Sequence, residues 1–269
     1  MGNQILNYLG KAHSDFIHAK GKLASNKLIE LLGPKSKENI LEVGFGTGAT
    51  LVRLAALHKT ANFFGFELSE LMFHKAVERI RFCGLSDKVQ LVLLTDRNKF
   101  PATDNTFDKV YCESIIAIQE GEDFKNLFLE IQRVLKPNGM LVFNETIWLE
   151  KTERETAQSM NSTCKQLFGI IQSNDEYLHI QDWKNLLFEI GFEVQVEISL
   201  LETNETKTFK LLPLPLFLSK LYTLKGKMKA VFTTEMRKEW KDYKRKISSL
   251  NNHAGALMQG FIIKSVNRK

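Results

Sequence analysis

Through the first two hundred residues, short apolar runs of strand length alternate with segments whose apolar residues recur every three or four positions. The runs fall at Asn39 to Val43, Phe63 to Leu68, Val89 to Leu94, Phe107 to Cys112 and Met140 to Phe143. Such nearly continuous apolar strands suit a sheet covered on both faces. Between them, Leu71, Met72, Ala76 and Ile80 share one side of a helix that Ser69 can cap and that ends near Gly84. Phe124, Leu127, Phe128, Ile131, Val134 and Leu135 mark another, stopped by Pro137 and Gly139. Strand and helix in alternation predict an α/β fold with a parallel sheet, its right-handed crossovers placing helices on both faces.

Beyond Phe143 the alternation slows. A polar, helix-like stretch from Lys151 to Gln172 reads as a lid rather than a further crossover. Asp182 is placed to cap a helix bearing Trp183, Leu186, Leu187 and Ile190 and closed by Gly191. Phe192 to Leu200 then alternates like a strand, and Met258 to Val266 reads as the last one. Between those two strands, Met228, Phe232, Met236, Trp240, Tyr243, Ile247 and Leu250 follow one another at helical spacing, as one helix with basic outer faces. The expected organisation is a helical N-terminal segment and core over residues 1–146, a lid over 147–179, the rest of the core at 180–200 and 258–269, and a basic helical cap over 201–257.

Composition narrows the class. With 43% hydrophobic and 25% charged residues among 269, the chain can bury a sizeable core, which excludes a disordered or fibrous protein. The longest apolar candidate for a membrane span, Leu211 to Leu218, is short and interrupted by Pro213 and Pro215. The N-terminus has neither an apolar signal core nor Ser or Thr at position six, where Leu6 stands, so a cytoplasmic protein is expected. Cys83, Cys112 and Cys164 have no metal-ligand or paired spacing, so buried thiols and no metal site are expected. The net charge of +6 is uneven: residues 205–269 hold 15 Lys and Arg against 4 Asp and Glu, leaving 22 against 27 in the rest. An anionic partner should be sought in the C-terminal quarter.

Ile40 to Ala49 reads Ile-Leu-Glu-Val-Gly-Phe-Gly-Thr-Gly-Ala, an apolar strand running into glycines and then into a helix-like segment. Glycines there allow a tight turn, and the first free N–H groups of the helix then face whatever lies over the strand end. Gly44-x-Gly46-x-x-Ala49 satisfies the dinucleotide fingerprint, and Glu67 lies 21 residues after Gly46, where a ribose-binding acid belongs. The loop alone therefore leaves two nucleotide-type cofactors open.

Further features separate them: Glu42 inside the strand end, Gly48 two residues after Gly46, the acid of Gly65-Phe-Glu67, Thr95-Asp96, Asn105-Thr-Phe-Asp-Lys-Val110 and Arg133-Val-Leu-Lys-Pro-Asn-Gly139. Over about residues 20 to 145 the sequence resembles the class I S-adenosylmethionine-dependent methyltransferases, in particular the group containing the ubiquinone/menaquinone C-methyltransferases. The resemblance implies a Rossmann-like, seven-stranded sheet with an antiparallel last strand and a helical cap. It implies S-adenosyl-L-methionine as cofactor, with Glu42, Gly44, Gly46, Thr47 and Gly48 at the methionine end. Glu67 would take the two ribose hydroxyls and Asp96 the adenine amino group, with Leu68 and Glu113 also among the cofactor-binding residues. The chain departs from the group's pattern at Thr95, where Gly is common, and at Arg97-Asn98-Lys99, where small or apolar residues pack on adenine.

Each residue also has a plainer reading. Glu67 before Leu68 and Ser69 suits a helix start, and Asp96 a solvated turn. Methyl transfer needs alignment and exclusion of water more than a dedicated base. Where the acceptor must lose a proton, Glu113 and Glu145 at strand ends are the candidate bases, while His18 and Trp148 are candidates for the acceptor pocket. Trp148 also suits a core or lid. The expected activity is methyl transfer to a small, hydrophobic or aromatic metabolite, with an NAD(P)-dependent oxidoreductase or a non-catalytic cofactor-binding protein as alternatives. For the basic segment 201–257, a solvated outer face, contact with a membrane or anionic lipid, and RNA contact stay open. No nucleic acid is expected, since no RNA-binding module is recognisable.

Overall fold

The computed structural model describes residues 4–15, 21–200, 212–250 and 257–269. In chain order the elements are α1 (Gln4–Lys11), α2 (Gly21–Leu32), β1 (Asn39–Val43), α3 (Ala49–Leu57), β2 (Asn62–Glu67), α4 (Glu70–Phe82), β3 (Val89–Leu93) and β4 (Phe107–Glu113). There follow α5 (Glu122–Val134), β5 (Leu135–Trp148), α6 (Arg154–Phe168), α7 (Ile180–Ile190), β6 (Phe192–Ser199), α8 (Leu214–Phe232), α9 (Thr234–Leu250) and β7 (Met258–Asn267).

The seven strands form one sheet in the order β3-β2-β1-β4-β5-β7-β6. The first five pair in parallel, and β7 lies antiparallel between β5 and β6. Both faces are covered. Phe124, Phe128 and Ile131 of α5 and Trp183 and Leu187 of α7 pack on one face. Leu28 and Leu32 of α2, Leu51 and Leu54 of α3, Ile80 of α4 and Leu216 of α8 pack on the other. The strand order turns between β1 and β4, so a crevice opens over the carboxyl ends of these two strands, the usual ligand position in an open α/β sheet. The antiparallel β7 between β5 and β6 departs from the second parallel βαβαβ half of a dinucleotide-binding sheet. Among the described residues, no helix is long and apolar enough to cross a membrane.

Three local expectations are corrected. β5 continues to Trp148, with Glu145 opposite Phe261 and Trp148 opposite Met258. Residues 147 and 148 therefore belong to the sheet and not to the segment read as a lid, and Glu145 and Trp148 are held inside a paired strand. The N-cap of α7 is His179, and Asp182 sits three residues in, its carboxylate accepting the His179 N–H at 2.9 Å. The single helix read through Met228 and Leu250 is two, broken at Thr233, whose backbone is extended. The break turns Met236 inward onto Tyr8 and Ala12 while Phe232 stays in water. Beyond it, α9 packs on the elements beside it through Trp240 stacked on Tyr8 and Tyr243 edge-on to Phe168.

Candidate active site

A cleft of about 890 Å³ lies over the carboxyl ends of β1, β2 and β4, toward the upper end of the ~300–1,000 Å³ typical of small-molecule sites. Its floor is Glu42 and Val43, the glycine loop, Glu67 to Ser69, and Glu113 to Ile115. Its walls come from the segments outside the sheet: Leu6 and Leu9 of α1, Gly169 to Gln172 after α6, and Tyr243 of α9.

The floor is built by backbone constraint and three buried carboxylates. Gly44 ends β1 with φ +72°, and a Cβ there would overlap the Ile115 side chain, so only glycine lets the loop pass under the residues after β4. Beside Gly46 the space is open. Glu67, last in β2, reaches across and accepts the Gly46 N–H at 2.9 Å and the Ser69 N–H at 2.8 Å. Burial holds its carboxyl above the ordinary glutamate range even though those N–H groups pull the other way. Glu42 accepts the Tyr111 hydroxyl at 2.7 Å. Burial and then the nearby Glu113 charge push Glu42 well above its ordinary range. Glu113, last in β4, accepts the Ser25 and Thr50 hydroxyls, each at 2.8 Å.

Glu42, Gly44, Gly46, Thr47, Glu67, Leu68 and Glu113 thus border one cleft. Gly48 lies just behind it as the N-cap of α3, against Ala76. Thr47 turns its hydroxyl away, donating to the Ser14 carbonyl at 2.5 Å. Four other candidates behave differently. Asp96 is exposed outside the cleft lining, its Oδ1 accepting the Asn98 N–H at 2.9 Å. The neighbours that do line the cleft, Arg97 and Asn98, both hold Asp123. Glu145 is fully buried and accepts the Ile115 and Ile116 N–H groups at 2.9 and 2.8 Å, which anchors the turn after β4 and keeps the carboxylate out of the cleft. Trp148 is buried against Ala157 and Leu178, its indole N–H donating to the Ser173 carbonyl, so it is a core residue and not a pocket wall. His18 lies outside the described residues.

Sequence reading missed Arg79, which is fully buried beneath the loop. It donates to the Thr47 carbonyl at 2.8 Å, the His13 carbonyl at 2.9 Å, and the Ser219 and Thr223 hydroxyls of α8 at 2.9 and 3.0 Å. Its guanidinium also lies over the Tyr222 ring, 4.9 Å from the centroid. The signal was present: Arg79 falls in the buried stripe of α4 with Met72, Ala76 and Ile80.

An open α/β crevice, a glycine turn and an acid at the next strand end define a nucleotide-type cofactor site. Comparison with known proteins favours one of the two cofactors. Residues 40–139 match the family described as "Methyltransferase domain". Over 146 residues the chain is 32% identical to 24-methylenesterol C-methyltransferase 2 of Arabidopsis thaliana, covering 54% of this chain and 38% of that protein. The chain thus spans well under half the length of that relative. Its fold is similar to that of the [4+2]-cyclase SpnF, with a TM-score of 0.70 and 17% identity over 98% of this chain and 94% of the other. It is also similar to that of geranyl diphosphate C-methyltransferase from Streptomyces coelicolor A3(2), with a TM-score of 0.61 and 15% identity over 93% and 78%. Residues 40–139 are thus similar to the methyltransferase domains of S-adenosylmethionine-dependent enzymes of class I, and S-adenosylmethionine is the cofactor that this similarity supports.

The residues present fit that cofactor: a carboxylate at the end of β2, open space beside Gly46, and two further buried carboxylates for a ligand carrying a sulfonium. Replacing Glu67 by Ala is expected to weaken S-adenosylhomocysteine binding by about 1 to 3 kcal/mol, since ribose hydroxyls lose a charged acceptor. Calorimetry checks this, and an unchanged Kd would remove Glu67 from the site.

Proposed function

We propose that this chain is a cytoplasmic enzyme that transfers a methyl group from S-adenosylmethionine to a small, hydrophobic or aromatic metabolite enclosed under the cap. The observation that carries the reading is the continuity of the cleft, which runs from Glu67 and Glu42 to walls supplied by Leu6, Leu9, Ile170, Ile171 and Tyr243. Apolar walls over a polar floor suit an acceptor that is mostly hydrocarbon. The sterol in the name of one similar protein is of that character, and the geranyl diphosphate in the name of another joins an apolar chain to a diphosphate.

Bound S-adenosylmethionine supplies a methyl group activated on sulfur. What this chain's residues do is narrower: the glycine loop and Glu67 fix the nucleoside end, and Glu42 and Glu113 line the methionine end, where a sulfonium favours their ionised forms. The apolar walls exclude water and align the acceptor. Where the acceptor releases a proton, we assign its receipt to Glu113, which borders the cleft, and not to Glu145, which does not.

The test is transfer of labelled methyl from the cofactor to fractions of host metabolites, RNA and protein. Label in an apolar small-molecule fraction is the expected result. Label entering RNA, with a rate falling steeply as salt rises, would refute it and make the basic C-terminal quarter a phosphate-binding face. A protein that binds cofactor tightly yet labels no fraction would favour the non-catalytic reading, and the likeness to a cyclase is a reminder that one fold hosts several chemistries.

A further inference from the structure

Helix α8 presents two opposite sides, one buried against this chain and one exposed and apolar. Its inner side is committed to this chain: Leu216 packs into the core, Arg79 holds Ser219 and Thr223, and Tyr222 donates to Glu78. Gly226 lies so close to the end of α1 that a Cβ would overlap the Ala12 carbonyl and the His13 side chain. The helix is therefore pinned in one rotational setting, and its outer side cannot roll inward.

On that outer side Phe217, Leu221, Leu224, Met228 and Val231 recur every three or four residues and stand in water, from 39% exposed at Leu221 to 61% at Val231. Leu214 and Phe232 extend the stripe at both ends, with Phe232 76% exposed. A helix of 19 residues makes this stripe about 28 Å long. Isolated exposed apolar residues are ordinary, but a continuous stripe along a pinned helix marks a contact surface.

The flanks identify the partner. At 100° per residue, Lys220 and Lys227 lie along one edge of the stripe, and Lys225 and Lys229 along the other, all four exposed. The helix has no Asp or Glu. An apolar stripe bordered on both sides by lysines matches an anionic bilayer surface, where the apolar side chains enter the acyl boundary and the lysine stems let their ammonium groups reach the headgroups. A second copy meeting this face would set lysines against lysines with no carboxylate of α8 between them.

We infer that α8 is an interfacial helix that docks the protein on an anionic lipid membrane through Phe217, Leu221, Leu224, Met228 and Val231. The inference stands on the face of α8 and does not depend on the proposed reaction. It gives that reaction a setting all the same, because Arg79 ties α8 directly to the loop under the cofactor cleft.

Co-sedimentation of the full chain with vesicles tests it, using pure phosphatidylcholine in one arm and equal parts phosphatidylcholine and phosphatidylserine in the other. Binding is expected to the mixed vesicles, to weaken as salt rises, and to be much poorer to pure phosphatidylcholine. Each of Lys220, Lys225, Lys227 and Lys229 replaced by Gln should weaken partitioning about fivefold. The paired change Phe217→Ser with Leu224→Ser, which leaves the charge alone, should weaken it by at least about tenfold. Because all six positions are exposed, circular dichroism and thermal midpoints should match the parent and separate lost docking from lost folding. No partitioning by the parent chain, or full partitioning by the Phe217→Ser/Leu224→Ser variant, would overturn the inference. So would a parent dimer that this variant converts to a monomer while neither binds vesicles, which would assign the face to a second copy.

Discussion

Replacing Arg79 by Met should lower the stability of the chain by roughly 2 to 5 kcal/mol and detach α8 from the loop under the cleft. The guanidinium donates to the Thr47 and His13 carbonyls and to the Ser219 and Thr223 hydroxyls. Each acceptor left buried without a donor costs about 1 to 3 kcal/mol. Against this, methionine recovers the desolvation of a fully buried cation, which is why the net loss is smaller than the sum. Burial lowers the affinity of Arg79 for its proton, but a guanidinium stays charged throughout the neutral range, so the loss should not vary with pH there. Lysine should not restore it, because one ammonium cannot reach acceptors spread over the segment after α1, the glycine loop and α8. Denaturant unfolding of the Met and Lys variants measures the first effect, and S-adenosylhomocysteine affinity measures how far the loop depends on the anchor. A Met variant as stable as the parent would make the contacts incidental.

The sheet was legible because its signals are local. Apolar runs bounded by glycine, proline and cap residues need no knowledge of the rest of the chain, and Ser69 does cap α4, its hydroxyl accepting the Met72 N–H. The glycine loop was legible for a related reason: the chemistry of a tight turn under a ligand restricts which residues can stand there. What failed was non-local. Glu113 and Glu145 both stand at the ends of apolar runs, and nothing near either in sequence tells that one meets Ser25 and Thr50 while the other is consumed by the backbone after β4. Asp96, Arg97 and Asn98 share one turn, and which of them faces the cleft depends on Asp123 in another element. The spacing from Met228 to Leu250 is continuous, yet it records two different faces, an outward one on α8 and an inward one on α9, because the chain turns at Thr233.

The carboxylates around the glycine loop should make the free protein less stable as pH rises and make the cofactor's benefit grow over the same range. Glu42 and Glu67 hold their protons more tightly in the fold than in an unfolded chain, the first through burial and the Glu113 charge, the second through burial. Protonation of either group therefore favours folding. That contribution is complete below the unfolded glutamate value of about 4.3 and is lost as pH rises through the higher folded values. A cationic ligand reverses the cost, since ionised carboxylates that repel one another in the empty cleft each gain a positive neighbour. S-adenosylmethionine carries a sulfonium that S-adenosylhomocysteine lacks, so the two ligands separate charge from shape. Thermal midpoints between about pH 5 and pH 8 should fall for the free protein. S-adenosylmethionine should raise them most at the alkaline end, and S-adenosylhomocysteine should do so more evenly. Glu42→Gln keeps an acceptor for the Tyr111 hydroxyl but cannot ionise, so it should flatten the free protein's slope and narrow the gap between the two ligands. Parallel pH profiles for the two ligands in the parent protein would show that the buried carboxylates act on the fold alone and leave the sulfonium unrecognised.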